Sequence, residues 1–287
     1  MAITAAMVKE LRERTGLGML DCKKALQETD GDLEAAIDKL RKESGLKAAK
    51  KAGRTAAEGL LGLKTSADGK QAALVEVNIE TDFAARNDKF VAFVDKVAAL
   101  ALEQQTDNMQ QLLDGGLEAE RETLVQEIGE NITVRRAVLQ QGDVVGSYVH
   151  ADNRKGAVVV LEGGSVELAR DLAMHIVAIQ PQVVSPEDLD PALLEREREI
   201  YAAQAAESGK PPEIAEKMVE GRLNKYKAEI SLVKQPFVKD GDKRVEQILK
   251  EAGARCVSFA RLEVGEGIER EETDFAAEVA AQARGQG

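Results

Sequence analysis

Apolar positions along this chain change their period several times, and each change marks a new element. Near the N-terminus Val8 and Leu11 lead with Arg12 into the Gly-rich turn Thr15-Gly16-Leu17-Gly18-Met19-Leu20. Asp21 then stands where a short carboxylate can cap a helix carrying Cys22, Ala25 and Leu26. Thr29-Asp30-Gly31-Asp32 breaks that helix, and Asp32 is placed to cap a third with Leu33, Ala36, Ile37 and Leu40 at helical spacing. The pattern predicts a three-helix domain over residues 1–46. A unit of ~45 residues lies near the lower limit for an independent core, so it should lean on another body or a partner. Residues 47–58 follow as a basic linker, whose Lys- and Arg-rich tract at 47–54 reads as linker or exposed helix.

Alternation then replaces the helical period. Residues 59–64 and 72–79 read as a hairpin turned at Ala67-Asp68-Gly69-Lys70. Phe90, Val91, Phe93, Val94, Val97, Ala98 and Ala101 mark a helix, residues 118–128 a second, and residues 132–139 a strand, which together make a first core subdomain over 59–140. A new hairpin around Asp152-Asn153-Arg154-Lys155 and a helix over 166–179 open a second core subdomain, 141–264. Between Pro186 and Pro236, Leu194, Ile200, Tyr201 and Ala205 mark one helix, and Ile214, Met218, Leu223, Tyr226 and Ile230 another. Ser208-Gly209-Lys210-Pro211-Pro212 separates them and cannot continue a helix, so residues 187–232 read as an inserted antiparallel coiled-coil hairpin, its helices ~30 Å long. Periodicity leaves open whether it reaches a partner or folds back. Val245, Ile248 and Leu249 then give a helical face, residues 254–264 a strand, and residues 265–287 a C-terminal helical module. The fold class is α+β with antiparallel sheets.

Composition narrows the function. A net charge of −12 disfavours broad phosphate-backbone binding, and the basic tract carries no aromatic residue for base stacking, so no direct nucleic-acid partner is expected. Only 3% of residues are aromatic and none is Trp, which leaves the core to Ala, Val, Leu and Ile. Cys22 and Cys256 lack ligand spacing and fit a reducing cytoplasm. No stretch approaches the ~20 apolar residues of a membrane span, and no membrane partner is expected. The two histidines are His150, at a strand end, and His175, among Leu168, Leu172, Ile176 and Ile179, where a packed imidazole is the expectation. A hydrolase built on His150 with Asp82 lacks a nucleophile and an oxyanion site. Gly16-Leu17-Gly18 is not a dinucleotide fingerprint, and no phosphate-binding loop motif occurs. The chain reads as a non-enzyme with several contact surfaces and no metal or cofactor of its own.

One motif stands out. Glu80-Thr81-Asp82-Phe83-Ala84-Ala85 recurs unchanged at Glu272-Thr273-Asp274-Phe275-Ala276-Ala277. Thr or Asp can cap the helix that follows each copy. For Phe the default is inward packing, as an anchor. The sharper alternative is an acid-plus-aromatic tip presented to a partner.

The chain resembles the bacterial translation elongation factor Ts family. The resemblance rests on Val8-Lys9-Glu10-Leu11-Arg12-Glu13-Arg14-Thr15-Gly16, Met19, Asp21-Cys22-Lys23-Lys24-Ala25-Leu26, Thr81-Asp82-Phe83, Gly129-Glu130-Asn131-Ile132, and Gly146-Ser147-Tyr148 with His150. It continues in Gly209-Lys210-Pro211, in residues 214–222 and in Gly265-Glu266-Gly267-Ile268-Glu269. It implies a UBA-like N-terminal domain, a two-part core, the coiled-coil insertion and a C-terminal helix. The implied partner is the GDP-bound form of elongation factor Tu, with a higher-order Tu–Ts complex left open. The implied task is nucleotide exchange, with Thr81, Asp82, Phe83 and Ala84 dislocating the partner's magnesium ion. Arg12, Met19, Leu20, His150, Asp274 and Phe275 are the further contacts that the resemblance implies. Leu20 stands where a second Met is common in the family, and Ala84 where Val often follows. The competing class is a noncatalytic scaffold that uses the helical domain and the hairpin on some other protein.

Overall fold

A computed structural model describes residues 3–207 and 210–269. Helix α1 (Ala5–Thr15) starts on Thr4, whose hydroxyl accepts from the Met7 N–H, and ends on Gly16 at φ 73°, a left-handed geometry that glycine adopts without strain. Helix α2 (Met19–Glu28) begins earlier than the expected cap at Asp21. Leu17 is drawn into the small core at 2% exposure, which shortens the connection and makes Met19 and Leu20 the first, outward-facing turn. Asp21 lies inside that turn and pairs instead with Lys47 at 3.8 Å. Helix α3 (Leu33–Lys51) is capped by Asp32, as expected, and runs on to Lys51, so the first part of the tract read as linker or exposed helix is helix. Ala48 is buried there, as is Ser44 one turn before it, so one side of the helix packs against protein.

Strands β1 (Glu58–Thr65) and β2 (Gln71–Ile79) form the first hairpin, paired from Glu58 opposite Ile79 to Thr65 opposite Ala72. The single turn α4 (Asp82–Ala85) leads to α5 (Asp88–Glu103), capped by Asn87, and then to α6 (Met109–Leu112) and α7 (Glu118–Ile128). Strand β3 (Ile132–Gln141) closes a sheet of order β1-β2-β3. Phe90, Phe93, Val97 and Ala101 of α5 bury against the sheet with Leu112 and Leu117. The short α6 leaves no periodic apolar signal in the sequence, and Gly116, at φ 107°, kinks the chain before α7.

The second body repeats the plan with β4 (Val144–Val149), β5 (Lys155–Glu162) and α8 (Val166–Ile179). The insertion follows as α9 (Pro191–Glu207) and α10 (Pro212–Ile230), tied by Arg198 to Glu220 at 2.9 Å and by Arg222 to Gln204 at 2.6 Å. Few of its side chains are buried, Ala205, Val219 and Leu223 among them. A separate small hairpin, β6 (Pro236–Phe237) with β7 (Asp240–Arg244), and α11 (Val245–Glu251) come next, and β8 (Arg255–Glu263) completes a sheet of order β4-β5-β8.

The two sheets pack on each other. Leu61, Ala72 and Leu74 meet Val145, Val158, Val160 and Leu262 in a separate buried cluster. Strand β2 is therefore buried on both faces. Glu76, at its middle, is fully buried and closes the seam. It accepts from Arg135 at 3.1 Å, from Asn78 at 3.0 Å, from the Gly265 N–H at 2.8 Å, and from Arg136. Burial pushes its carboxyl pKa up, but the Gly265 N–H, Arg136 and Asn78 together outweigh that and hold it below the ordinary carboxylate value.

Candidate functional site

Strand β2 ends on the fully buried Ile79, and the next residues turn outward. The Thr81 hydroxyl caps α4 by accepting from the Ala84 N–H at 3.2 Å. Ala85 is buried and Ala84 packs on the first core, so the turn is rooted on one side. Phe83 faces the other way and is 81% exposed. The inward-anchor expectation for this ring is thereby overturned: Ala84 and Ala85 take the inward positions of a one-turn helix, and Phe83 is left outside. Asp82 is half exposed and pairs with Arg86 at 3.0 Å, one helical turn on.

A second exposed apolar surface lies on the helical domain. Met19 is 60% and Leu20 83% exposed. Arg12 and Met19 line a groove of about 330 Å³ with Ile3, Val8 and Lys23. Polar ties fasten this domain to α7: Ser44 Oγ donates to Gln126 Oε1 at 2.5 Å and Gln126 Nε2 to Asp21 Oδ2 at 3.5 Å. The α1–α2 turn also approaches the first turn of α5, where Lys89 pairs with Glu127; a Cβ on Gly16 would lie 3.7 Å from the Lys89 ammonium. The tip and the Met19–Leu20 surface are thus set on one assembly.

His150 belongs to the other body. It follows β4 in the turn to β5, is exposed, and meets the Tyr148 hydroxyl through Nδ1 at 3.2 Å. Its turn is fastened to β1, whose Leu61 N–H donates to the Asn153 carbonyl at 2.7 Å. Asp82 with Arg86 and His150 with Tyr148 leave the hydrolase pairing unmade. His175 is fully buried, accepts at Nδ1 from the Val238 N–H at 3.2 Å, donates from Nε2 to Gln235 Oε1 at 2.9 Å, and stacks on Phe237. Burial lowers its pKa against the opposing effect of the Gln235 bond. Asp274 and Phe275, with the second hexapeptide and its expected helix, lie outside the described residues.

Sequence reasoning missed the residues that hold the tip. Glu130 takes both the Thr81 N–H and its hydroxyl, and Glu80 takes the Asn131 N–H. The signals were Glu80 at the head of the repeated hexapeptide and Glu130-Asn131 within Gly129-Glu130-Asn131-Ile132, neither with an assigned role. Among the described residues no group of three or more His, Cys, Asp or Glu could hold a metal ion, and no helix is long and apolar enough to cross a membrane.

Phe83 on its capped, rooted turn and Met19 with Leu20 on the helical domain are uncovered apolar side chains on an α+β frame. The family model described as Elongation factor TS matches residues 80–266, which take in both the tip and the Gly265 turn. The chain is 57% identical over 284 residues to Elongation factor Ts of Hahella chejuensis, with 99% of each chain covered. It is 58% identical over 282 residues to that of Marinobacter nauticus, with 98% of each covered. With that of Alkalilimnicola ehrlichii it shares 52% over 292 residues, covering 99% of this chain and all of the relative. The chain belongs to the elongation factor Ts family, and its role is that of a translation elongation factor.

Proposed function

We propose that this chain binds elongation factor Tu in its GDP form in the cytoplasm and promotes GDP release by disturbing the magnesium and phosphate site. The observation that carries the reading is Phe83, an aromatic ring left 81% in water on a turn whose other side is rooted in the core. Such a ring gains free energy by entering an apolar crevice, and a firm base lets it displace what lies there. Asp82 brings a carboxylate to the same place, where it competes electrostatically with groups that order a divalent cation. Loss of that cation removes the chief compensation for phosphate charge, so nucleotide affinity falls. Factor and nucleotide then weaken one another by the same factor, and abundant GTP completes the cycle by rebinding and expelling the factor.

Arg12, Met19 and Leu20 serve as a second contact in this reading and His150 as a third, with Asp274 and Phe275 as a fourth beyond the described residues. The test is release of a fluorescent GDP from elongation factor Tu, with and without the chain. Acceleration at micromolar factor is the expected result. Binding without acceleration would return the chain to the scaffold class.

A further inference from the structure

The exchange reading uses Asp82 and Phe83 but leaves unexplained a pair of carboxylates behind them. Glu80 and Glu130 reach across in opposite directions between the two segments that flank the tip. The Thr81 N–H and hydroxyl both donate to the Glu130 carboxylate, at 2.9 and 2.8 Å. In return the Asn131 N–H donates to Glu80 Oε1 at 2.6 Å. With its O–H donating to Glu130, the Thr81 hydroxyl turns a lone pair to the Ala84 N–H. One carboxylate thus orients the cap of the turn that carries Phe83.

The same segment reaches the helical domain. The Asn131 side chain, 3% exposed, donates to the carbonyls of Arg54 and Ala52 at 2.9 and 3.4 Å. Lys51, the last residue of α3, donates to the Gly129 carbonyl. Residues 129–131 therefore join the end of α3 to the tip, and Glu130 is the member that touches Thr81 itself.

We propose that Glu130 is a positioning residue for exchange: through Thr81 it sets the Asp82–Phe83 turn before the partner arrives. The proposal rests on the reading of that turn as the exchange element. A helix of one turn has too few internal bonds to persist alone, because nucleation fixes several dihedrals for a single hydrogen bond. Without Glu130 the Thr81 N–H loses its partner and the hydroxyl is free to rotate away from Ala84. The turn must then be ordered during binding, which weakens every step that depends on it.

The test uses the full chain carrying Glu130→Ala or Glu130→Gln, and Glu130→Ala combined with Phe83→Ala. Release of fluorescent GDP from elongation factor Tu is measured at subsaturating factor, and amide hydrogen exchange across residues 81–86 is measured without the partner. Glu130→Ala should lower exchange efficiency about tenfold, the scale of losing charge-assisted bonds. It should also expose the Thr81 and Ala84 amides. Glu130→Gln, whose amide oxygen still accepts one of the two bonds, should fall between the parent and Glu130→Ala. In the Phe83→Ala background Glu130→Ala should cost much less than in the parent, since it acts through the tip and only the Asp82 part remains to be lost. An unchanged rate for Glu130→Ala, or an equal loss in the Phe83→Ala background, overturns the proposal. Absence of acceleration by the parent chain defeats the exchange reading itself, and is told apart because the amide protection still reports whether Glu130 orders the turn.

Discussion

Truncating Phe83 separates a working surface from a structural anchor. A phenylalanine offers roughly 200 Å², so 81% exposure leaves about 160 Å² in water. Replacement by Ala removes about 100 Å² of what a partner could cover, worth about 2.5 kcal/mol at ~25 cal/mol per Å². That corresponds to a loss on the order of 70-fold in exchange efficiency if the whole ring is buried in the complex. In the isolated protein the same truncation removes little buried area, so stability should stay within ~0.5 kcal/mol of the parent. Stopped-flow release of fluorescent GDP at subsaturating factor reads the first quantity and urea unfolding the second. Phe83→Leu, which keeps most of the apolar area, should retain most of the activity. The reasoning fails if Phe83→Ala exchanges as fast as the parent, or if it loses ~3 kcal/mol of stability as a core anchor would.

Other expectations concern the scaffold. Gly146→Ala should destabilise by about 1–3 kcal/mol or more in urea unfolding, because a Cβ there would lie 2.4 Å from the backbone of Ala169 and Arg170 on α8. Glu76→Ala should cost about 2–3 kcal/mol in the same assay, below the range for fully buried pairs because Arg135 and Arg136 keep some access to water. Since the folded pKa of Glu76 is depressed, the unfolded chain takes up its proton first; the stability it contributes is present above the ordinary value of 4.5 and should be lost as pH falls through the folded value. For His175 the folded pKa is likewise depressed, and here the protonated form is the charged one. Its contribution should be complete above 6.5 and decline as pH falls below it, so unfolding midpoints of the parent should drop with acidification there and those of His175→Gln should drop less.

How much of this was legible depended on whether one side chain or many decided the outcome. Helix α8 could be read from Leu168, Leu172, Ile176 and their neighbours because fourteen residues repeat one period. Asp32 as a cap was legible because its bond to Ala35 is local. The start of α2 was not, because it turns on Leu17 entering a core built from three helices. Stacking of the two sheets left a trace that went unused: Ala72 to Val75 and Ala157 to Leu161 are continuous apolar runs, as strands covered on both faces require. Strand β7 left none, since Asp240-Gly241-Asp242-Lys243-Arg244 carries no apolar position. At the site, Thr81 as a cap was legible and the direction of Phe83 was not. Which face of a single turn goes inward is settled by Ala84 and Ala85 meeting a core assembled from distant strands and helices.

The placement of the tip has its own physical logic. Fixing a residue's backbone costs roughly 1–2 kcal/mol, so a loose loop of four residues that ordered only on contact would spend several kcal/mol before its ring did any displacement. Here that ordering is completed on folding. Strand β2, held between two cores, delivers the chain to Glu80; Glu130 and Ala84 fix Thr81, Arg86 holds Asp82, and burial roots Ala85. Phe83 is the apolar member of the turn left without a covering surface, and in the proposed exchange its contact is spared the cost of arranging its own support. The residue types beside it follow from the same geometry: small alanines inside let the turn sit close to the core, and any larger side chain at Ala85 would lift the tip from the base that makes it firm.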